Sequence, residues 1–386
     1  MKMKIIIAPD SFKESLSAIE VAEHIEAGFR EVFPHAEYVK LPMADGGEGM
    51  VNAMVAATGG KIVEVEVTGP LGAPVSAFHG VTGDGRTAII EMAAASGLAL
   101  VPLHMRNPLK TTTHGTGEMI RSVLEAGIRR MIVGIGGSAT NDGGAGMLQA
   151  LGAGLLDGQD RQIGFGGESL AHLHRIDLTG FDPRLEDCTV VAACDVDNPL
   201  TGPGGASAVF GPQKGATPEM VARLDENLAH FAQVIHRDLG VNVAQVPGSG
   251  AAGGMGAALL AFLGASSRPG VEIVIDAVGL EDAMVHADLV ITGEGRMDSQ
   301  TIYGKAPVGV ARVAKRYGKP VIGLAGSLAP DVGVVHAHGI DAVFSALLHS
   351  CSLEEAMGNA AMNIRMTSRN IAATIKLAQL LRPEKA

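Results

Sequence analysis

Apolar and polar positions follow two different rhythms along this chain. The first sixty residues read as β-α-β-α. Ile5–Ala8 is apolar at every position, the pattern of a strand buried on both faces. Ser17 followed three residues later by Glu20 is a capping-box signature. Ile19, Ala22, Ile25, Phe29 and Val32 then recur at helical spacing, with Pro34 as the stop. Glu37–Leu41 is expected as a second strand, ending at Ala44-Asp45-Gly46-Gly47-Glu48-Gly49, with a short helix to about Thr58.

The rhythm then changes. Val63, Val65 and Val67 alternate with Glu64 and Glu66, which predicts a strand with one wet face. Thr68-Gly69-Pro70 reads as a turn, and Gly83-Asp84-Gly85 as a hairpin. Helix Thr116–Ala126 precedes strand Arg129–Gly134, and Thr217 with Pro218 opens a further helix as N-cap and N1. From about Leu280 the β-α order returns: strand Asp288–Thr292, helix Ala306–Arg316, strands Pro320–Leu324 and Ile340–Ala346. A last helix starts at Ser352-x-x-Glu355 and runs to about Leu381, with Met357, Met362 and Met366 expected in core packing. The expected organisation is one discontinuous parallel α/β domain, residues 1–67 and 281–386, with a mixed-sheet α/β domain, residues 68–280, inserted into it. Such an insertion suits an active site in a cleft between domains.

Composition narrows the function. Hydrophobic residues at 47% and charged residues at 18% allow a large core and argue against disorder. A net charge of −11, no Trp and three Tyr leave neither a basic stripe nor stacking platforms for nucleic acid. Three cysteines without a C-x-x-C pair suit small buried thiols in a reducing compartment. The apolar start is too short for a signal peptide, and the longest apolar run, near Ala257–Leu263, is too short for a membrane span. A cytoplasmic protein without membrane or nucleic-acid partners is expected, either monomer or homodimer.

Five expected strand ends carry charged or polar residues: Asp10-Ser11-Phe12-Lys13, Asp45-Gly46-Gly47-Glu48, Gly136-Gly137-Ser138-Ala139-Thr140-Asn141-Asp142-Gly143-Gly144, Asp195-Val196-Asp197-Asn198, and Gly293-Glu294-Gly295-Arg296-Met297-Asp298. Each acid alone also fits a turn or a cap. Together they supply what phosphoryl transfer needs: carboxylates for Mg²⁺, cations for the transferring group, and glycine N–H groups for phosphate oxygens. No G-x-x-x-x-G-K-[ST] occurs. Gly248-Ser249-Gly250-Ala251-Ala252-Gly253 and Gly134-Ile135-Gly136-Gly137-Ser138-Ala139 spell dinucleotide-type motifs without the strand or acid such motifs need. His172/His174 and His336/His338 lack a third ligand for zinc.

The strings Ala8–Ser17, Ala44–Gly49, Gly136–Gly146, Cys194–Leu200 and Thr292–Gly295 with Asp298 resemble the bacterial type I glycerate kinases, in order and at matching spacing along nearly the whole chain. Met50 departs from the Thr expected there. The resemblance implies a Rossmann- or flavodoxin-like parallel-sheet domain with a second mixed α/β domain inserted. It also implies ATP-dependent phosphorylation of D-glycerate to 2-phosphoglycerate, in glyoxylate or sugar-acid breakdown, with ATP and Mg²⁺. On that reading Asp195, Asp45 and Lys13 are the expected catalytic residues, Asp195 first and Asp45 second for orienting or deprotonating the hydroxyl. Asp10, Ser11, Arg296 and Asn198 are expected on the substrate. Gly136, Gly137, Ser138, Thr140, Asn141, Gly293 and Gly295 are expected on the nucleotide, and Glu294 and Asp298 on the metal. Three alternatives stay open: phosphorylation at the 3-hydroxyl, an NAD(P)-dependent hydroxy-acid dehydrogenase, and a non-catalytic binding protein of periplasmic type.

Overall fold

The computed structural model describes residues 2–381. Among them the strands run in chain order as β1 (Lys4–Pro9), β2 (Glu37–Lys40), β3 (Lys61–Thr68), β4 (Pro74–Val81), β5 (Thr87–Glu91), β6 (Arg130–Gly134), β7 (Gly154–Leu156), β8 (Arg175–Asp177), β9 (Thr189–Ala193), β10 (Ser266–Arg268), β11 (Leu289–Met297), β12 (Val321–Leu328) and β13 (Ala342–Ser345). The chain folds into two compact units. The first takes the residues up to Asp45 and from Val271 onward, and the inserted unit takes Gly46–Gly270.

The sheet of the first unit has the order β2-β1-β11-β12-β13, and every neighbouring pair is parallel. Ile5, Ile6, Ile7 and Ala8 are fully buried, which is why β1 is apolar without alternation. Helix Ala18–Arg30 opens with both halves of the capping box: Glu20 N–H donates to Ser17 Oγ at 3.3 Å, and Ser17 N–H donates to Glu20 Oε2 at 2.8 Å. The helix buries Val21, Ala22, Ile25 and Phe29 and packs on helix Ala360–Leu380. A Cβ at Gly28 would lie 2.3 Å from Arg365 O, so glycine sets that close approach. Ser17→Ala removes the cap and should cost about 1 kcal/mol. A urea midpoint followed by circular dichroism checks this, and an unchanged midpoint would contradict it.

Several elements differ from the sequence expectation. β11 continues through Gly293-Glu294-Gly295-Arg296 to Met297, because Glu294 pairs with Ala325 and Arg296 with Ser327. Glycines and charges mimic a loop there, yet the strand is held by its neighbour. The last helix is broken into Leu353–Gly358 and Ala360–Leu380, and the Asn359 side chain donates to Glu355 O at 3.0 Å across the break. Met362 and Met366 are about half exposed rather than core, because the buried stripe of that helix runs through Ala360, Ile364, Thr367, Ile371 and Ala372. The three cysteines are free and half-buried rather than buried.

The inserted unit carries a six-stranded sheet in the order β10-β9-β6-β5-β4-β3. β4 runs antiparallel to β3 and β5, and the remaining pairs are parallel. β3 has the alternating exposure that its Val/Glu pattern dictates. Because β3 pairs along its full length with β4, it and the helix Met50–Thr58 belong to the inserted unit. The units therefore divide at 45/46 and 270/271, where the sequence reading drew 67/68 and 280/281. A two-stranded β7–β8 ribbon lies outside this sheet. Among the described residues no helix is long and apolar enough to cross a membrane.

Candidate functional site

In open parallel sheets a ligand site forms beyond the carboxyl ends of the strands where the strand order reverses. In the first unit that point lies between β1 and the central strand β11. The two strand ends are joined there, with Asp10 N–H donating to Gly293 O at 2.8 Å and Thr292 Oγ1 donating to Ala8 O at 2.8 Å. A cavity of about 470 Å³ opens at this place, and its lining includes Asp10, Ser11, Lys13, Asp45, Glu294, Gly295, Arg296 and Lys305.

The loop after β1 is tightly wound. Phe12 is buried, its N–H donates to Leu16 O at 2.8 Å, and Glu14 adopts φ 62°. A left-handed non-glycine residue costs on the order of 1 kcal/mol, and such strain collects at functional loops. Here it leaves Lys13 exposed at the cavity. Asp10 is 6% exposed, and its Oδ1 accepts the Ser11 N–H at 2.6 Å. Burial, reinforced by the Asp45 and Glu294 charges, pushes its carboxyl up to about 7, while Ser11 N–H and Lys13 oppose the shift.

Glu294 is also buried, and burial raises its pKa. It accepts from Thr301 Oγ1 at 2.6 Å and from Lys305 Nζ at 2.9 Å, which hold it toward ionisation. Crowded carboxylates with cations at their edge suit a hard divalent ion, which offers charge and takes oxygen ligands. Asp10 and Glu294 fit that donor set. Asp298 is committed elsewhere: its Oδ1 accepts Gln300 N–H at 2.9 Å, capping the turn Ser299–Ile302, and its Oδ2 lies 3.4 Å from Arg296 Nε.

Two strand ends of the inserted unit, those of β6 and β9, meet around the Gly46-Gly47 turn. A Cβ on Gly134 would lie 2.7 Å from Gly46 O, one on Gly136 3.1 Å from Gly47 Cα, and one on Gly46 3.2 Å from Asp195 Oδ2. Gly46 has φ 90°, so glycine is required there both by conformation and by space. Asp195 is exposed at the end of β9, and its Oδ1 accepts Gly270 N–H at 3.0 Å. Glu91, at the end of β5, accepts Val51 N–H at 2.7 Å at the start of helix Met50–Thr58. Burial pushes this carboxyl up to about 7.

The Gly136–Gly144 loop divides its residues. Gly136 and Gly137 expose their backbone, whereas Ser138, Thr140, Asn141 and Asp142 are buried. Lys214, 1% exposed, donates to Ser138 Oγ and to Thr140 O, each at 2.7 Å, and burial pulls its pKa down to about 7. Asn141 Nδ2 donates to Ser207 Oγ at 3.0 Å, and Asn198 Nδ2 to Gly204 O at 2.8 Å. Gly253, in the G-x-G-x-x-G string, has φ 67°, and a Cβ there would lie 2.0 Å from Thr140 O. That glycine answers to packing against the loop.

Of the residues singled out from the sequence, the structure gathers Asp10, Ser11, Lys13, Asp45, Glu294, Gly295 and Arg296 on one cavity. Gly293 is buried behind them and positions Asp10. Sequence reasoning missed Lys305, Thr301, Lys214 and Glu91. Lys305 had a visible signal: it sits at the N-cap of helix Ala306–Arg316, where the helix dipole disfavours a cation. A cation held there calls for an acid partner, which is Glu294.

The sequence profile described as the glycerate kinase family matches residues 5–376. The chain belongs to the glycerate kinase family. The glycerate 2-kinase of Escherichia coli K12 is 62% identical over 97% of this chain and 98% of its own length. The glycerate kinase of Bacillus subtilis 168 is 59% identical over 98% and 99%. A crystal structure of a proposed glycerate kinase 2 from Salmonella typhimurium LT2 superposes with a TM-score of 0.89 at 63% identity, covering 99% of this chain and 100% of that one. Membership in this family makes the chain an enzyme, a phosphotransferase with an alcohol group as acceptor.

Proposed function

We propose that this enzyme transfers the terminal phosphoryl group of ATP, with Mg²⁺, to the 2-hydroxyl of D-glycerate, giving 2-phosphoglycerate and ADP in the breakdown of glyoxylate or sugar acids. The observation that carries this reading is the set of Asp10, Asp45 and Glu294 opposed by Lys13, Arg296 and Lys305 on one cavity at the β1/β11 switch point. The name of the Escherichia coli relative supports the 2-position.

Asp10 and Glu294, with Asp45 beside Asp10, would hold Mg²⁺, which would supply charge to the phosphate oxygens. Lys13 offsets negative charge on the transferring group, and Arg296 pairs with the glycerate carboxylate, for which its planar fork is suited. Asp195 orients or deprotonates the attacking hydroxyl. Phosphoryl transfer depends on positioning and charge more than on a strong base. Asp195→Asn should therefore lower kcat about 100-fold, within the usual range for acid–base groups, with KM little changed. Near-full turnover in a normally folded Asp195→Asn protein would remove that role.

The reading as a whole is tested by glycerate-dependent ADP release, with the product resolved by NMR. 3-Phosphoglycerate would overturn the regiochemistry. Reduction of NAD(P) by glycerate without ATP would overturn the reaction class.

A further inference from the structure

The cavity at the β1/β11 switch point is larger and less polar than a three-carbon acid needs. At about 470 Å³ it falls in the range of pockets that enclose drug-sized ligands. Its charged lining comes from the segments after β1 and β2, from β11 and from the N-cap of helix Ala306–Arg316. A separate set of lining residues is apolar: Leu347, Leu353, Met357, Ala360 and Ile364 form a wall contributed by the chain after β13 and by both pieces of the broken last helix. A hydroxy acid gains nothing from that wall. A flat, apolar ring does, through buried area and through contact with a methionine thioether.

One polar side chain comes from the same helix as this apolar wall. Asn363 is 4% exposed and lines the cavity, and its Oδ1 has no hydrogen-bond partner. Buried amide groups are nearly always paired, so an orphan on a cavity wall points to a ligand that completes it. A carboxamide offers one acceptor and adjacent donors, which match the amino group and ring nitrogen along one edge of adenine. The lining also includes Ser11, Gly295, Gly326 and Ser327, small residues that leave room for a chain of linked polar groups. The wall is tied to the phosphate-side loop, since Ser15 Oγ donates to Met357 O at 3.1 Å.

We propose that this apolar wall forms the purine subsite of the phosphoryl donor, and that Asn363 selects adenine by pairing with its amino edge. The proposal rests on the reading of the enzyme as an ATP-dependent kinase. It adds where the base sits and which residue reads it.

The test is ADP binding by calorimetry on the full chain, together with steady-state kinetics using ATP and ITP, whose base lacks the amino group. Asn363→Ala should weaken ADP binding and raise the KM for ATP about 10-fold, the loss of one buried hydrogen bond, with the KM for glycerate unchanged. The preference for ATP over ITP should shrink by a similar factor. Ala356→Tyr, at a half-buried wall position, should block the ring while leaving every charged lining residue in place, and should weaken ADP binding at least as much. Circular dichroism melting confirms that each variant folds. The subsite is overturned if either folded variant binds ADP as tightly as the unaltered protein. It is also overturned if Asn363→Ala raises the KM for glycerate and not for ATP. If the unaltered protein binds ADP and loses that affinity with Asn363→Ala, yet forms no phosphoglycerate, the subsite stands and the assigned reaction falls.

Discussion

Asp10→Asn will lower kcat for glycerate phosphorylation by about 100-fold or more, because even outer partners of a metal are worth 10- to 100-fold. The change keeps the shape of the side chain and can keep the Ser11 N–H contact at its oxygen. It deletes one negative charge from a cluster in which Asp45 and Glu294 already raise the cost of ionising Asp10. The same substitution should make the metal-free protein more stable at alkaline pH. The ordinary carboxyl value is 3.8 and burial lifts Asp10 to about 7, so the folded state holds this proton more tightly than the unfolded chain. The resulting stability is fully present below about pH 4, drains away as pH rises, and is gone above about pH 7. Unaltered protein should therefore lose urea resistance between pH 5 and pH 8 more steeply than Asp10→Asn, with Glu91 contributing the same trend in both. Adding Mg²⁺ should raise the midpoint of the unaltered protein and raise that of the variant less. A folded Asp10→Asn enzyme within a few-fold of normal kcat would remove Asp10 from the reaction. An unchanged pH slope would remove the buried-charge argument.

The fold was readable where its cause is local. The Ser17/Glu20 capping box, the Thr217-Pro218 helix start and the Val/Glu alternation of β3 are written in adjacent residues and appear as expected. Domain membership is not local. β3 looks like a continuation of the first unit until its partner is known to be β4. The far end of β11 looks like a loop until Glu294 and Arg296 are seen paired with β12. A break at Gly358-Asn359 carries only a weak propensity signal inside a strongly helical stretch.

The site divides along the same line. Acids and glycines at strand ends can be recognised one strand at a time, and chain topology then brings Asp10, Asp45 and Glu294 together. A buried cation cannot be found this way, since Lys214 is identified only by the oxygens that surround it. Asn363 is a further case: on a helix wheel it shares its buried stripe with the polar Thr367 and Ser368, and only the cavity sets it apart. The expected phosphate contacts Ser138, Thr140 and Asn141 are buried. Lys214 takes up Ser138 Oγ and Thr140 O and Ser207 takes up Asn141 Nδ2, while Thr140 Oγ1 and Asn141 Oδ1 have no hydrogen-bond partner and the Gly136-Gly137 backbone is the exposed part of that loop.

Gly293→Ala should be a severely damaging small substitution, for a reason visible in strand geometry rather than in residue chemistry. Gly293 sits in the centre of the parallel sheet, opposite Pro9 on one side and Leu324 on the other. A methyl group at this position would lie 2.0 Å from Leu324 O and 3.1 Å from its carbonyl carbon. Those are backbone atoms of the neighbouring strand, so no rotamer change relieves the clash and β11 must part from β12. We expect a loss of about 3 kcal/mol or more, the upper range for overpacking and a large share of ordinary stability. Activity should fall further than stability does, because Gly293 O receives the Asp10 N–H and Glu294 is the next residue. Gly358→Ala provides the matched control: the same methyl meets no atom within 4 Å at the end of a helix. That variant should be neutral or slightly stabilising, by a few tenths of a kcal/mol up to about 1 kcal/mol, through helix propensity. Urea midpoints and kcat measured on the two variants together decide the matter. If both behave alike, the close approach of β11 and β12 does not constrain the site; if only Gly293→Ala collapses, strand spacing holds the carboxylates in place.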